Sequence, residues 1–517
     1  MSTYDRFKPF LHLGPFVLPI LWVFNANADE VIFSDSFEYD PTPHPDLVVI
    51  NPGVNNPDLT PNQAYTIGVT ARNQGEGASV ETVLRYYLSD DSEIATDDTP
   101  LETDAIPGLA PDAESAQSLD TTAPVDIGTW WVGACVDAVE GESDTDNQCS
   151  TAVQIVVAVP VDSDNDRLPD AAETNTGIYI DSGNTGTDPN NPDTDGDGIE
   201  DGDEVLGTLA GLDLPAMGTS PLRKDLLLEY DWFDDSNDCE AHTHRPAAAA
   251  IASASAAFSS SPVTNPGVTT GVNLINDYGQ GGAFTGGNLI SDEDGVIAGG
   301  VSGTDYKTYK AANFAANRNG YFHYVLLPHR YNTSGSSSGQ AEVNGDDLIV
   351  SLQCYNSNRN VSHTILHEVG HNLNLRHGGN TNCNYRPNYN SVMNYRYQFP
   401  GVDNDCTPPG NGVLNFSIGD RITLDENNLD ENNGTCGPGY PWDWDGSSTI
   451  DSSIAFNINE YDSEVGQCGG TLTTLSDYND WANILFGGLS DGDGLPLAPL
   501  EIITEQPVPK EYRSVND

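Results

Sequence analysis

The run HEVGHNLNLRH at residues 367–377 obliges the chain to build a helix and then to end it abruptly. Upstream of it and within it, Ile365, Leu366, Val369 and Leu373 recur at the spacing of a buried helical stripe, with Ser362 or Asn360 placed to cap the first turn. His367 and His371 then stand one turn apart on one face. Two imidazoles so placed reach a single tetrahedral Zn²⁺ at about 2.0–2.1 Å, while Glu368 lies beside them, near enough to take a proton from a water but not to ligate. A third ligand has to come from another direction, because a further helical turn points along the same axis and leaves no position open for water. His377 meets that need only if the helix stops near Asn374. His363, one turn before His367, reads as a residue behind the ligands. His242, His244, His323 and His329 lack any such spacing and read as surface or core histidines.

Together with SVMNY further on, these residues resemble the metzincin zinc endopeptidases, whose motif H-E-x-x-H-x-x-G-x-x-H is followed by a Met-turn. Asn374 stands where the clan has Gly, and Asn is the residue next most tolerant of the left-handed conformation that ends the helix there. By this resemblance Met393 forms a hydrophobic floor under the metal. Tyr395 matches the tyrosine that, in astacin-like and serralysin-like members, approaches the zinc or stabilises the oxyanion. The implied activity is that of a secreted zinc endopeptidase acting on protein or peptide, with Zn²⁺ on His367, His371 and His377 and Glu368 as general base. Two other classes stand beside it: a non-proteolytic adhesion or matrix protein with a relic metal site, and a zinc amidase acting on cell-wall peptide. Retention of Glu368 speaks against a relic.

A chain of 517 residues has room for two to four domains. Residues 1–28 have the charged start, apolar run and small-residue end of a secretory signal, and the run is too short and too interrupted by Pro15, Pro19 and Gly14 to span a membrane comfortably. Eight cysteines, none in CxxC spacing, agree with an oxidising compartment; Cys135 and Cys149 are placed to close a local loop, and the other six leave fifteen pairings open. The balance of 19 basic against 78 acidic residues, a net charge of −59, excludes nucleic acid as a natural partner and favours cations or salt.

The acid is concentrated in a repeat. DSDNDRLPDAAE and DTDGDGIEDGDE both carry Asp at loop positions one, three, five and nine and Glu at twelve, the oxygen-ligand pattern of a Ca²⁺ loop. Its candidate ligands are Asp162, Asp164, Asp166, Asp170 and Glu173 in the first copy, and Asp193, Asp195, Asp197, Asp201 and Glu204 in the second. Gly198 holds position six in one copy and Arg167 in the other. The run resembles thrombospondin type 3 repeats, Ca²⁺-stiffened connectors.

The expected organisation is multidomain. A linker at residues 29–45 leads to an all-β immunoglobulin-like sandwich of about seven strands at 46–159. VTARNQGEGAS in that sandwich resembles the bacterial adhesion-related immunoglobulin-like domain, implying a spacer or a module that docks to a surface or matrix. A Ca²⁺-binding acidic connector follows at 160–207, an α+β metzincin-like catalytic domain, somewhat pappalysin-like, at 221–497, and a tail at 498–517. Within the catalytic region KDLLLEYDWF, GYFHYVLLP and DDLIVSL read as strands, the Ala-rich run after Arg245 as a helix, and SDYNDWANILFGG as a closing helix. The resemblance also implies an edge strand that binds substrate antiparallel. Asp443, Asp445 and Asp451 suit a third Ca²⁺ site or a solvated turn equally.

Overall fold

A computed structural model describes residues 42–142, 144–235, 239–291, 294–331, 336–407, 410–459, 471–487 and 500–513. The expected signal at 1–28 and the linker up to 41 lie outside the described residues, as does Cys468. The chain divides into two compact units, residues 1–159 and 160–517.

In the first unit β1 (Leu47–Val54), β3 (Ala64–Asn73) and β6 (Glu114–Thr122) form one antiparallel sheet. The other sheet runs in the order β2 (Asp58–Leu59), β8 (Val153–Val157), β7 (Gly128–Val136), β4 (Thr82–Ser89), β5 (Thr99–Ile106). Strict alternation along β3, where Tyr65, Ile67, Val69 and Ala71 are buried and their neighbours are not, turns one face of the first sheet onto Leu84, Tyr86, Val132 and Ile155 of the second. Cys135 and Cys149 are bridged across a loop of this unit.

The second unit is organised on one mixed sheet. β9 (Asp225–Asp235) lies at its centre. β11 (Asn273–Asp277) and β12 (Leu289–Ile290) pair with one side of it, and the short β10 (His242–Thr243) pairs antiparallel with its end. On the other side come β14 (Phe322–Leu327) and β17 (Asp347–Val350), parallel, then β16 (Gly339–Glu342) antiparallel; β13 (Val296–Ile297) and β15 (Arg330–Tyr331) make a separate pair. Period-two alternation sends Leu226, Leu228, Tyr230, Val325, Leu327, Leu348 and Val350 to one face. Leu227, Phe233, Tyr324, Leu326 and Ile349 go to the other, so the sheet is buried on both sides. The first face packs on α3 (Ala248–Ser259), the Ala-rich helix, and on α5 (Asn358–Asn372), which carries the HEVGH run. The second packs on α4 (Thr304–Asn313) through Tyr306, on Ile199 of the acidic segment, which also holds α1 (Asp201–Leu206), and on Leu214 and Met217 of α2 (Leu214–Met217) just after it.

Four details depart from the reading of the sequence. Neither Asn360 nor Ser362 caps α5; Ser357 does, its hydroxyl accepting from the Asn360 amide at 3.3 Å, because the helix begins a turn earlier. The closing helix does not form. After one turn with Ile484 N donating to Asp480 O at 2.9 Å, Leu485 N donates to Leu373 O at 3.1 Å, and Trp481 and Ile484 enter the core. The acidic segment is not a separate connector, since it shares a core with the sheet. Residues set apart as a tail are structural: β20 (Ile502–Thr504) pairs antiparallel with β16. Between α5 and β20 the described residues make α6 (Tyr395–Gln398) and the short pair β18 (Leu424–Asp425) and β19 (Thr474–Leu475). Asp443 and Asp445 there accept from the Ser447 amide at 3.0 and 2.9 Å, closing a solvated turn. Bridges Cys239–Cys354 and Cys406–Cys436 staple this unit.

Candidate metal centre

The chain leaves α5 abruptly. Leu373 caps it, Asn374 adopts φ 71°, and Leu375 N donates back to Gly370 O at 2.9 Å. The left-handed residue swings the chain round so that His377 faces the helix. His367, His371 and His377 are all buried, with ring centroids 4.9, 5.4 and 5.1 Å apart. Their orientation is fixed from behind: His367 Nδ1 donates to the Val392 carbonyl at 2.8 Å and His371 Nδ1 to the Leu375 carbonyl at 2.7 Å, which aims both Nε2 atoms at a common point. Burial pushes His371 down to about 4, so it presents the neutral imidazole that ligates.

Met393 packs against α5 at Gly370. A Cβ on Gly370 would come within 2.3 Å of its sulfur and 3.0 Å of the Phe416 ring, so the glycine between Glu368 and His371 is what lets this floor close against the helix. Tyr395 packs on His377 with centroids 4.3 Å apart and stacks at 5.9 Å from His367. His363 is not part of the cluster; its Nδ1 donates to the Gln398 carbonyl and ties α5 to α6. His323 sits in the core, 3.1 Å from Asn372 Oδ1.

Glu368 is fully buried, and neither of its carboxylate oxygens has a hydrogen-bond partner. It lies against β16, where a Cβ on Gly339 would be 2.0 Å from Oε1. Burial, and then the charge of Glu505, push its carboxyl well above the usual carboxylate range.

Glu505 is the residue that sequence reasoning missed. Its carboxylate stands 3.0 Å from His367 Nε2 and 3.2 Å from the Nε2 atoms of His371 and His377, completing a buried His₃Glu group. The segment carrying it is extended along β16: Val343 N donates to Glu501 O at 2.7 Å, Glu505 N to Gly339 O at 3.0 Å and Ser338 N to Gln506 O at 3.1 Å. From the opposite side Arg376 binds the Glu501 carboxylate at 2.7 Å and the Tyr385 hydroxyl donates to Gln506 at 2.7 Å. A peptide strand thus lies in a cleft between β16 and the loop after α5, with a carboxylate on the three imidazoles. Nothing in the spacing of the motif points to a ligand 128 residues beyond His377. Three imidazoles and a carboxylate converging at these distances, with Glu368 buried and unpartnered beside them, fit a tetrahedral Zn²⁺.

The acidic repeat closes differently from a self-contained loop. Asp162 accepts from Asn165 N at 2.7 Å and Arg167 N at 3.1 Å, and Asp193 accepts from Gly196 N at 2.8 Å and Gly198 N at 2.9 Å, so both copies fold alike. Asn165 and Gly196 (φ 67° and 77°), then Arg167 and Gly198 (φ 84° and 96°), repeat the same left-handed positions. Arg167 tolerates a conformation that suits glycine, and its guanidinium binds Asp203. Asp162, Asp164 and Asp166 converge, as do Asp193, Asp195 and Asp197. A third group joins Asp166 and Glu173 of one copy to Asp201 of the other. Asp170 instead accepts from Ser163 N at 2.8 Å. Both oxygens of Asp164 and of Asp195, and one each of Glu173 and Glu204, are buried without a hydrogen-bond partner, a donor set that fits Ca²⁺.

Removing Ca²⁺ under conditions that spare zinc is expected to loosen the mixed-sheet unit itself, because Asp197 accepts from the Asp225 amide at 2.5 Å where β9 starts. Burial raises Asp195 to about 7 and Asp201 to about 8. Since those folded values exceed the unfolded ones of about 3.9, stability of the metal-free chain is expected to fall as pH rises from about 4 to 8, and Ca²⁺ on these carboxylates is expected to remove that slope. Thermal melts at either end of that range, with and without Ca²⁺, check this; a melting temperature indifferent to Ca²⁺ refutes it.

Among known proteins, residues 44–152 match the model of the CARDB family, an immunoglobulin-like adhesion-related domain. No curated protein matches the chain. Among solved structures, the CARDB domain of the PF1109 protein from Pyrococcus furiosus, in complex with di-metal ions, is 22% identical, with 22% of this chain and 94% of that one covered at a TM-score of 0.18. β-Glucosidase 3B from Thermotoga neapolitana is 12% identical over 22% of this chain and 16% of its own, at a TM-score of 0.17. Among the described residues no helix is long and apolar enough to cross a membrane.

Proposed function

We propose that the chain is a secreted zinc endopeptidase with an N-terminal docking module. What carries this reading is the convergence of His367, His371 and His377 beside the buried, unpartnered carboxylate of Glu368. Bound zinc would supply Lewis acidity, polarising a scissile carbonyl and acidifying water. Glu368 takes the proton of the attacking water and returns it to the leaving amine. The Tyr395 hydroxyl stabilises the oxyanion as charge develops. The edge of β16 holds the substrate backbone antiparallel, as it holds residues 501–506 now. Disulfides Cys135–Cys149, Cys239–Cys354 and Cys406–Cys436 support an extracellular setting.

Hydrolysis on this plan requires the C-terminal strand to leave, since Glu505 stands where water and carbonyl must come. A second reading follows from the same residue: four protein ligands make a closed, structural zinc site. Digestion of denatured casein and of purified peptidoglycan, each with and without a zinc chelator, tests the proposal. Chelator-sensitive cleavage of casein is expected; cleavage of peptidoglycan alone makes the chain a cell-wall amidase.

A further inference from the structure

We propose that Asp235, His242, His244 and His329 form a second zinc site in the same unit, separate from the one on α5. The topology assembles it. β9 and β14 run parallel with Trp232 opposite Leu327, so Asp235 and His329, a few residues on, emerge together at the same end of the sheet. The chain then returns as β10 antiparallel to the end of β9, with His242 opposite Asp235. His244 follows β10 directly and its amide continues the pairing, donating to Phe233 O at 2.9 Å, so the two imidazoles, two residues apart in extended chain, project to one side.

The cluster on α5 provides an internal yardstick. There the three rings are 4.9, 5.4 and 5.1 Å apart around a carboxylate at 3.0–3.2 Å. Here the three rings are 4.6, 5.7 and 5.5 Å apart, and Asp235 Oδ2 lies 2.7 Å from His244 Nε2, 3.3 Å from His329 Nδ1 and 3.9 Å from His242 Nε2. All four ligand atoms fall within 4.8 Å of one another. A tetrahedral ion with bonds of about 2.0–2.1 Å sets its ligand atoms about 3.4 Å apart, so little more than about an ångström of closure is needed at the widest pair. Three imidazoles and one carboxylate are a donor set for Zn²⁺ and a poor one for Ca²⁺.

The site is built into the fold. Asp235, His244 and His329 are buried, while His242 keeps 17% of its side-chain surface and leaves a way in for the ion. Gly295, at φ 60°, backs the cluster, and a Cβ there would meet those of His329 and Asp235 at 3.2 and 3.3 Å. Cys239, bridged to Cys354, lies 3.6 Å from His242 Nδ1. Four side-chain ligands make a closed brace joining the ends of β9, β10 and β14, with the Gln353 carbonyl 3.3 Å from His242 Nε2 holding that ring in place.

The test uses the full chain, stripped with a chelator and then titrated with Zn²⁺ against a chromophoric competitor, in millimolar Ca²⁺ so that the acidic loops are filled. Two tightly bound zinc ions are expected per wild-type chain, one in the His244→Asn/His329→Gln variant and one in the His367→Asn/His371→Asn variant. Should either double variant fail to fold, His242→Asn, a change at the partly exposed ligand, is expected to weaken one of the two zinc ions at least tenfold and leave the other alone. A single tight zinc in the wild type, two retained by His244→Asn/His329→Gln, or unchanged binding of both in His242→Asn would overturn the site.

Discussion

Replacing Glu368 by Gln is expected to leave zinc bound and to reduce peptide hydrolysis by several orders of magnitude. The substitution keeps the shape of a side chain wedged against Gly339 and fully buried, so the three histidines stay where the Val392 and Leu375 carbonyls hold them. What it removes is the carboxylate that accepts the proton of the attacking water, and proton transfer and water activation act as a unit. Zinc content by metal analysis and kcat/KM on a casein-derived peptide give the two readouts. Near-normal turnover by a zinc-loaded Glu368→Gln protein would exclude this mechanism.

The second large effect is expected from Glu505→Ala. If residues 501–506 occupy the substrate position, removing the carboxylate frees one position on the metal and weakens the hold of a strand that must otherwise be displaced. Peptidase activity then rises about tenfold for every 1.4 kcal/mol the carboxylate contributed. The remaining backbone pairing with β16 and the Arg376–Glu501 ion pair keep part of the strand in place, so activity increases further when the tail is nicked by a second protease. In a closed structural site the same change lowers zinc affinity and produces no peptidase activity at any tail length. Glu505→Ala therefore separates the two readings of the centre in one assay.

The motif at residues 367–377 contained most of what the centre needs locally. Helical spacing placed His367 and His371 on one face, and the tolerance of Asn374 for a left-handed conformation brought His377 round; in the structure its φ is 71°. The strands at 225–235, 322–327 and 347–350 were legible from their apolar runs. Pairing Cys135 with Cys149 followed from their isolation in one module. The acidic repeat was legible as well, because identical spacing folded both copies the same way.

Tertiary structure alone decided the rest, and each case involves groups far apart in the chain. Residues read as a tail became the outer strand of the sheet because β16 offers a free edge, and strand pairing depends on backbone groups that carry no sequence signature. That pairing, not any local motif, delivers Glu505 to the histidines. The acidic segment is anchored by its own Ile199 and by Leu214 and Met217 just after it, whose burial against the sheet outweighs the polarity of their neighbours. His242, His244 and His329 have no shared period in the sequence, and they converge only because parallel strands β9 and β14 end side by side. Helical and strand periods are set by the local backbone and can be read from one segment; a ligand set drawn from separate segments exists only once the sheet has closed.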